Sequence, residues 1–544
     1  MTITVSTAVT ALLFATFSAF AIRRGMTYLH LYQQEEYDSP RFFKWMLKKA
    51  VFDKRLSAAL ILLSAFNILA DSNIPDLAMS FAAFLCFAVA VYFEKDPRKD
   101  SKKKLAMTQR AQRIFMPAVA LCIFSGLWCF LVPNMVWPWL ICVHFIPYSI
   151  LLVNSMLAPY EAYVQKQFWQ EAHDKLQLLR PQVIAVTGSF GKTSVKHILG
   201  HILKMHAKTL ITPGSVNTPM GITRIIREHL DETHRYFVVE MGAYGPGSIE
   251  RLCALAPPDV GIITAIGHAH YERFKSLDTV AQTKYELAVS TLRKETGKMI
   301  VHERTLRYDA SKSLYKSYAP QFIVCGDSAD ENASVELDAA IKEIKQLPSG
   351  LSITFSWKDE THKILAPIYG KHHGHNLVQC YVTALEIGLE PQDIDAALTT
   401  LPQIAHRLEV KKQSNGTLVI DDAYNSNPAG FTSALDLLGI LGDERGGKKI
   451  LITPGMVELG KAHMEAHSKI GALAAKVCDI AIIVKSERIP SFVEAFNQNG
   501  PDKILITADS FSEAQSWVSQ NAGENDVILV ENDLPDLYER VPKL

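Results

Sequence analysis

The first 160 residues contain a succession of apolar stretches, and these constrain the fold more than any other feature. Met1–Ile22 has no charged residue, and further apolar runs cover Leu56–Ala70 and Leu77–Phe93. Ile114–Tyr160 lacks Asp, Glu, Lys and Arg. It can cross a bilayer twice, because one helical span takes about 20 residues, and Val132–Asn134 offers the turn between the crossings. The pattern predicts a helical membrane domain with five spans, of which the second and third are short.

Basic residues indicate the orientation of these spans. Lys and Arg are frequent between the first and second spans and between the third and fourth, whereas the other two connections have none. Because basic loops stay in the cytoplasm, five spans place everything after residue 160 on the cytoplasmic side. A cleaved signal peptide is disfavoured, since no Lys or Arg precedes Arg23. We therefore predict a multi-pass protein of the cytoplasmic (inner) membrane, with the lipid bilayer as a partner.

Charge and cysteine content argue against nucleic-acid binding and against a cysteine-based metal or disulfide site. Lys plus Arg and Asp plus Glu both number 56, whereas a nucleic-acid-binding protein usually has a basic excess. No nucleic-acid partner is therefore expected. The eight cysteines show no CxxC pair and no metal-ligand spacing, so all are expected to be reduced and structural.

A glycine-rich loop follows a short apolar strand in the second part of the chain. Val183–Val186 has the pattern of a buried strand, Thr187–Ser194 reads TGSFGKTS, and Val195–Met205 has a helical pattern. Strand, Gly-rich loop, Lys-Thr and helix are the parts of a phosphate-binding loop. The spacing departs from the common GxxxxGK[ST] form, because Val186 occupies the first glycine position. The order of the parts nevertheless predicts a nucleotide site.

The residue types in this loop suit a bound triphosphate. Glycines let the backbone turn its N–H groups toward an anion, and the start of a helix adds a positive dipole end. Lys192 supplies a cation for the β- and γ-phosphates, and the Thr193 hydroxyl can bind Mg²⁺. The sequence therefore predicts ATP as cofactor, held by Gly188, Ser189, Gly191, Lys192, Thr193 and Ser194.

The string TGSFGKTS resembles the nucleotide loop of the Mur ligases, which join amino acids to cell-wall precursors. Other stretches resemble further segments of this family, in the family's order. These are residues 211–221, 238–243, 265–284, 370–376, 406–409, 421–428 and 455–460. The last three are most like the branch that adds D-alanyl-D-alanine to the muramoyl tripeptide. The resemblance covers about residues 181–530.

The resemblance implies a reaction in two steps. ATP phosphorylates a substrate carboxylate to give an acyl phosphate, and an amine then attacks it to form an amide, with release of ADP and phosphate. The metal sites that the resemblance implies hold two Mg²⁺ ions through Thr193, Glu240, His270 and Lys284, with His268 beside them left undecided. Lys284 matches a family lysine that carbon dioxide carbamylates, which turns a cation into an anionic ligand. Glu240 also follows an apolar strand, where a carboxylate suits Mg²⁺.

The remaining sites implied by the resemblance surround the nucleotide. Catalysis falls to Lys192, Lys284 and Arg407, with Arg407 reaching the γ-phosphate when the domains close. Further nucleotide contacts are expected from His372, Asn376, Asp422, Tyr424 and Asn425. Asn and Asp also form turns, so the assignments of Arg407 and Asp422 are the better supported.

Two departures from the family pattern leave the substrate open. The usual N-terminal domain, which holds a uridine nucleotide, is replaced by the apolar residues 1–160, and the KGS-like C-terminal stretch reads Glu531-Asn532-Asp533. A tethered enzyme would meet a lipid-linked carboxylate acceptor at raised effective concentration, and an amino acid or dipeptide would supply the amine. The alternatives are a poly-amino-acid synthetase of the poly-γ-glutamate type and a non-catalytic ATP-binding membrane sensor.

The sequence thus predicts a multi-domain fold with three parts. An all-α transmembrane domain covers residues 1–160, an α/β P-loop domain with a mostly parallel sheet covers 161–400, and a Rossmann-like α/β domain covers 401–544. Expected strands of the last sheet are Leu418–Ile420, Ile450–Ile452, Ile480–Val484 and Val527–Val530. A linking helix is expected over residues 161–180.

Overall fold

The computed structural model divides into two compact units, one ending at Lys166 and the other beginning at Gln167. It describes residues 5–35, 37–48, 51–69, 76–99, 104–129, 136–267, 274, 276–328, 335–423, 426–457 and 459–532. The predicted turn at Val132–Asn134 lies outside these residues.

The first unit is built from helices. They are α1 (Val5–Gln34), α2 (Ser39–Lys48), α3 (Lys54–Leu69), α4 (Asp76–Phe93), α5 (Gln109–Trp128) and α6 (Trp137–Leu179). Among the described residues, three stretches are long and apolar enough to cross a membrane: Thr7–Gln34 of α1, α5 and α6. The apolar part of α4, Leu77–Phe93, is shorter, and α3 has 16 residues. The count of five spans therefore stays a prediction.

The expected linking helix is not a separate element. Residues 161–179 continue α6, which runs for 43 residues and contains Pro147 and Pro159. The polar segment after Tyr160 is rich in Glu, Gln, Lys, Ala and Leu. These residue types are strong helix formers. Polarity changes along α6 without a residue that would end the helix.

The second unit begins with a nine-stranded sheet in the order β2-β3-β1-β4-β5-β6-β7-β8-β9. In this order, all neighbours from β2 to β7 are parallel. The last two pairs, β7 with β8 and β8 with β9, are antiparallel. The strands are β1 (Gln182–Thr187), β2 (Thr209–Ile211), β3 (Tyr236–Glu240), β4 (Val260–Ile263), β5 (Lys298–His302), β6 (Phe322–Asp327), β7 (Ala339–Leu347), β8 (Gly350–Trp357) and β9 (Glu360–Ala366). This arrangement confirms the predicted mostly parallel sheet.

Helices cover both faces of this sheet, because its central strands are apolar on both sides. They are α7 (Lys192–His206), α8 (Pro219–His229), α9 (Ser248–Leu255), α10 (Leu277–Thr291), α11 (Asp309–Tyr318), α12 (His372–Glu386) and α13 (Pro391–Thr399). Crossover helices of this kind bring the carboxyl ends of β1, β3 and β4 to one edge, where ligands bind in open α/β sheets.

A second sheet has six strands in the order β10-β11-β15-β12-β13-β14, and all neighbours except β10 and β11 are parallel. The strands are β10 (Glu409–Lys412), β11 (Leu418–Asp422), β12 (Lys449–Thr453), β13 (Ile480–Val484), β14 (Ile504–Ala508) and β15 (Val527–Glu531). The helices are α14 (Pro428–Arg445), α15 (His463–Val477), α16 (Pro490–Asn499) and α17 (Phe511–Asn521). All four expected strands lie in this sheet, which confirms the Rossmann-like α/β class.

Candidate nucleotide and metal site

The glycine-rich loop lies between β1 and α7, and its two glycines are required by geometry. Gly191 has φ +83°, a left-handed conformation that glycine adopts without strain. A Cβ at Gly188 would lie 1.9 Å from Thr264 Oγ1. The Ser189 N–H donates to the Ala265 carbonyl at 2.7 Å, and Ser189 Oγ donates to the Gly267 carbonyl at 3.0 Å. These bonds hold the loop in shape from the β4 side.

Lys192 opens α7 and already lies over the loop. Its Nζ donates to the Gly188 carbonyl at 2.7 Å. Burial lowers the pKa of this lysine, the charge of Arg407 lowers it further, and Glu240 raises it. The first N–H groups of a helix have no partner within that helix, so the loop and the start of α7 offer both a cation and backbone donors to a phosphate.

Glu240 ends β3 beside this loop. The two strands β1 and β3 pair in parallel, and Glu240 lies opposite Val186, at the end of β1 that leads into the loop. The carboxylate is buried, and Thr193 Oγ1 donates to its Oε2 at 3.0 Å. Asn217 Nδ2 donates to Oε1 at 3.1 Å. A carboxylate and a hydroxyl are hard oxygen ligands of the kind that Mg²⁺ prefers, so the donor set fits a magnesium ion.

Lys196 is a member of this cluster that the sequence analysis missed. It lies one turn after Lys192 on α7, is fully buried, and its Nζ is 3.0 Å from Glu240 Oε2. Burial lowers its pKa, while the nearby Glu240 raises it. The four-residue spacing from Lys192, which puts both lysines on one helix face, was the available signal.

Lys284 lies on α10 with 4% of its surface exposed. Burial holds its pKa well below the ordinary value, and the charge of Lys192 lowers the pKa further. Both effects favour the uncharged form of the amine. The structure brings Lys284 into the electrostatic field of Lys192, and its role as a metal ligand stays a prediction.

His372 and Asn376 stand at the start of α12, next to the loop. A Cβ on Gly191 would lie 2.7 Å from Asn376 Oδ1, so α12 and the loop approach closely. Burial lowers the pKa of His372 to about 4, and the charge of Arg407 adds to this effect. Among the described residues, His372 Nδ1 is buried without a hydrogen-bond partner. A nucleotide at this position could satisfy that atom.

Arg407 is held in a turn just before β10. The flanking residues His406 and Leu408 have φ +57° and +51°, and the Leu408 N–H donates to Asp422 Oδ1 at 3.2 Å. Besides burial, the charge of Arg407 lowers the pKa of Lys192 and of His372, so its guanidinium lies within electrostatic reach of both.

Asp422 and Glu531 form a buried carboxyl pair beside Arg407. They end the adjacent parallel strands β11 and β15 and are opposite each other in register. Burial raises the pKa of Asp422 to about 6, against the lowering effect of Arg407. Burial and then the charge of Asp422 raise the pKa of Glu531 well above its ordinary value. The two raised pKa values favour a proton held within this pair, and Ser426 Oγ donates to Glu531 Oε1.

This pair predicts that the free energy of unfolding depends on pH. The substitution Glu531→Gln should weaken that dependence. A carboxyl group with a raised folded-state pKa stabilises the fold at low pH, and that contribution is lost as pH rises through the folded pKa. For Asp422 the loss runs from about pH 4 to about pH 6, and for Glu531 it extends higher. Glutamine keeps the shape of a protonated glutamate, so the variant should be more stable than the parent at pH 8 by about 1–3 kcal/mol.

Thermal unfolding of the full-length protein at pH 5 and pH 8 measures this effect. The exposed Glu494 provides a matched control, because Glu494→Gln removes a solvated charge on α16. A Glu531→Gln protein that loses stability equally at both pH values would contradict a shared proton.

The structure describes most of the predicted site residues. It brings the loop, Lys192, Thr193, Glu240, Lys284, His372, Asn376, Arg407 and Asp422 into one compact unit, and it buries Ser194 at the start of α7. His268, His270, Tyr424 and Asn425 lie outside the described residues, so their roles stay predictions. Asn217, like Lys196, is not predicted by the sequence motifs, and Glu531 stands out there only as a departure from the family pattern.

Comparisons with known families identify both α/β domains. The model of the Mur ligase middle domain matches residues 186–384, and that of the Mur ligase glutamate ligase domain matches residues 406–531. A UDP-N-acetylmuramoyl-tripeptide–D-alanyl-D-alanine ligase of Bacillus subtilis is 28% identical over 326 residues, or 60% of this chain and 65% of the relative. The same kind of ligase from Mycobacterium tuberculosis H37Rv is 27% identical over 369 residues, covering 64% and 69%. The chain thus spans about two thirds of these relatives.

Solved structures of the same family superpose on this chain. MurF from Acinetobacter baumannii superposes with a TM-score of 0.58 at 25% identity, covering 68% of this chain and 78% of that one. The MurF ligase of Thermotoga maritima in complex with ADP has a TM-score of 0.55 at 25% identity, with 68% and 80% covered.

Proposed function

Because this chain belongs to the Mur ligase family, whose middle and C-terminal domains it carries, we propose that it is a membrane-anchored ATP-dependent ligase. It joins an amine to a carboxylate of a cell-wall or envelope precursor and releases ADP and phosphate. Three parts share the work: a membrane domain of residues 1–160, an ATP-binding domain of 161–400 and a C-terminal domain of 401–544.

One observation supports the proposal: Glu240 contacts the phosphate loop, and the buried Lys284 lies within the electrostatic reach of Lys192 in that loop. Thr193 and Glu240 touch at 3.0 Å, and Lys284 is close enough to Lys192 for the charge of one to lower the pKa of the other. A simple ATP-binding sensor needs the loop but has no need of a buried lysine of lowered pKa beside it. The combination favours chemistry on the γ-phosphate over binding alone.

Each residue then has a distinct task. The loop and Lys192 hold the phosphates of ATP, and Arg407 supplies a second cation from the C-terminal sheet. Thr193 and Glu240 would hold one Mg²⁺, and His270 with a carbamylated Lys284 would hold another. Mg²⁺ in this place neutralises phosphate charge, which lowers the barrier to phosphoryl transfer. His372 and Asn376 contact the nucleotide from α12. Contacts from the C-terminal domain are assigned to Asp422, Tyr424 and Asn425.

The relatives suggest the substrate pair. Their names describe the joining of D-alanyl-D-alanine to UDP-N-acetylmuramoyl-tripeptide, so a dipeptide amine and a muramoyl-peptide carboxylate are the first candidates here. Residues 1–160 differ from the family's uridine-nucleotide domain, which favours an acceptor that is lipid-linked or close to the membrane. Tethering both partners to one surface raises their effective concentration.

The membrane anchor is supported by length and by exposed apolar surface. Stretches of α1, α5 and α6 are long enough to span, and α3 and α4 present large apolar side chains outward. Leu62 is 70% exposed, Phe66 58%, and Phe93 74%. Apolar surface of this extent is unusual for a protein surrounded by water. The basic connections then place the catalytic domains in the cytoplasm.

Release of ADP by the full-length protein in lipid nanodiscs tests the proposal. We expect ADP when D-alanyl-D-alanine is supplied with a muramoyl tripeptide, and faster release when that tripeptide is lipid-linked than when it carries a uridine nucleotide. ADP formation with glutamate as the only amine and carboxylate would instead support a poly-γ-glutamate type of synthetase. ATP binding without ADP release under every pairing would support a sensor.

A further inference from the structure

Two cysteines of the helical unit lie in contact where α5 and α6 approach each other. Cys129 directly follows the last residue of α5, and Cys142 is in the second turn of α6. Their Sγ atoms are 3.4 Å apart, and both side chains are buried. The Ser125 carbonyl lies 3.4 Å from the Cys142 sulfur, so both thiols face the last turn of α5.

This placement suits a covalent bond between the sulfurs. A disulfide has an S–S length of about 2.05 Å, so the two atoms need to approach by roughly 1.4 Å from their present separation, which small side-chain rotations can supply. A second sulfur on the same pair of helices has a different partner: Cys122 Sγ lies 3.2 Å from Ser149 Oγ. Cys122 therefore provides a matched control of similar burial.

The compartment favours oxidation at this position. The connection between α5 and α6 contains no Lys or Arg, and the positive-inside bias puts it outside the cytoplasm. Cys129 and Cys142 then stand near the outer face, where disulfides persist. This step rests on the membrane topology of the proposed function.

We propose that Cys129 and Cys142 form a disulfide bond that ties the outer end of α5 to α6, in contrast to the reduced state expected for all cysteines from the sequence. The oxidant is a protein disulfide of the extracytoplasmic compartment. The thiolate of one cysteine attacks that disulfide and releases one carrier thiolate, and the second cysteine then attacks the mixed disulfide and releases the other. Two electrons and the two thiol protons pass to the carrier, which leaves as a dithiol.

Exchange occurs before α5 and α6 pack fully, because both thiols are buried in the folded protein. Once formed, the bond closes a loop over residues 129–142 and restricts the unfolded chain. The spacing of α5 and α6 at their outer ends then depends on the redox state of the compartment that they face.

Counting free thiols in the full-length protein tests the bond. Membranes are quenched in acid, denatured and alkylated with N-ethylmaleimide, with and without prior reduction, and the modified peptides are identified by mass spectrometry. Of the eight cysteines, we expect six to be alkylated without reduction and eight after it. Peptides containing Cys129 and Cys142 should appear cross-linked only in the unreduced digest.

Variants make the assignment specific. Cys129→Ser and Cys142→Ser should each show seven alkylated cysteines with or without reduction, whereas Cys122→Ser should show five before reduction and seven after it. Eight alkylated cysteines in the unreduced parent protein would overturn the proposal, and this readout does not depend on any variant folding. A reporter fused to the C-terminus checks the topology separately, and ADP release checks the ligase, so failure of the disulfide is distinguishable from failure of the proposed function.

Discussion

Replacement of Lys192 by methionine is expected to lower ATP-dependent amide formation by about 10²–10³-fold. Lys192 is the cation that the loop presents to the phosphates, and its Nζ lies 2.7 Å from the Gly188 carbonyl. Methionine keeps the length of the side chain but removes the charge. The fold should tolerate the change, because burial already disfavours the charged form of this lysine. We therefore expect a loss of turnover with a change in unfolding free energy of no more than about 1 kcal/mol.

ADP release and thermal unfolding, measured on the same preparation, separate these two effects. Lys358→Met is a suitable control, since Lys358 is exposed on the β8–β9 turn, far along the sheet from the loop. Near-normal ADP release by Lys192→Met would mean that the loop does not hold a reacting phosphate. A large loss of stability in that variant would assign Lys192 a structural role instead.

Replacement of Lys284 by alanine is expected to reduce activity at least about 10²-fold, and the unaltered protein should depend on dissolved carbon dioxide. The pKa of Lys284 is well below its ordinary value through burial and the charge of Lys192, so the amine is available as a nucleophile. Attack on carbon dioxide forms an N–C bond, releases one proton and leaves an anionic carbamate. The carbamate then places a negative charge close to Lys192, which attracts the positive charge of that lysine.

Activity in degassed buffer, with and without added bicarbonate, measures the dependence on carbon dioxide. Lys284→Glu is the matched variant, because its carboxylate supplies an anion without carbamylation. We expect it to keep part of the activity and to be insensitive to bicarbonate. Full activity in Lys284→Ala, together with no response of the parent protein to bicarbonate, would exclude a carbamate.

Local order in the sequence was enough to predict the loop and the end of β3. Strand, turn and helix follow one another within residues 182–206, and a carboxylate after an apolar strand needs no distant information. Lys196 was missed because its partner Glu240 is 44 residues away. Only the pairing of β1 with β3 places them together. The same limit hid the contact of Asp422 with Glu531, which depends on the pairing of β11 with β15.

Boundaries were less predictable than elements. The change from apolar to polar residues after Tyr160 suggested a new helix, yet α6 continues through it, because polarity sets which surroundings a helix prefers while propensity decides whether it continues. Strands β10 and β14 were not predicted. β10 is short and polar, and β14 is half-exposed, so neither shows the apolar run that identified its neighbours.

The two ends of the nine-stranded sheet bear on how copies of this protein behave when crowded. An open sheet edge can pair with the edge of another molecule and start aggregation. One edge here is β2, with only three residues, and the other is β9, where Glu360 and Lys363 are exposed. A short strand offers few hydrogen bonds, and charged side chains resist a matching strand. In the membrane location that we propose, molecules would meet often in one plane, and these two edges would disfavour edge-to-edge association.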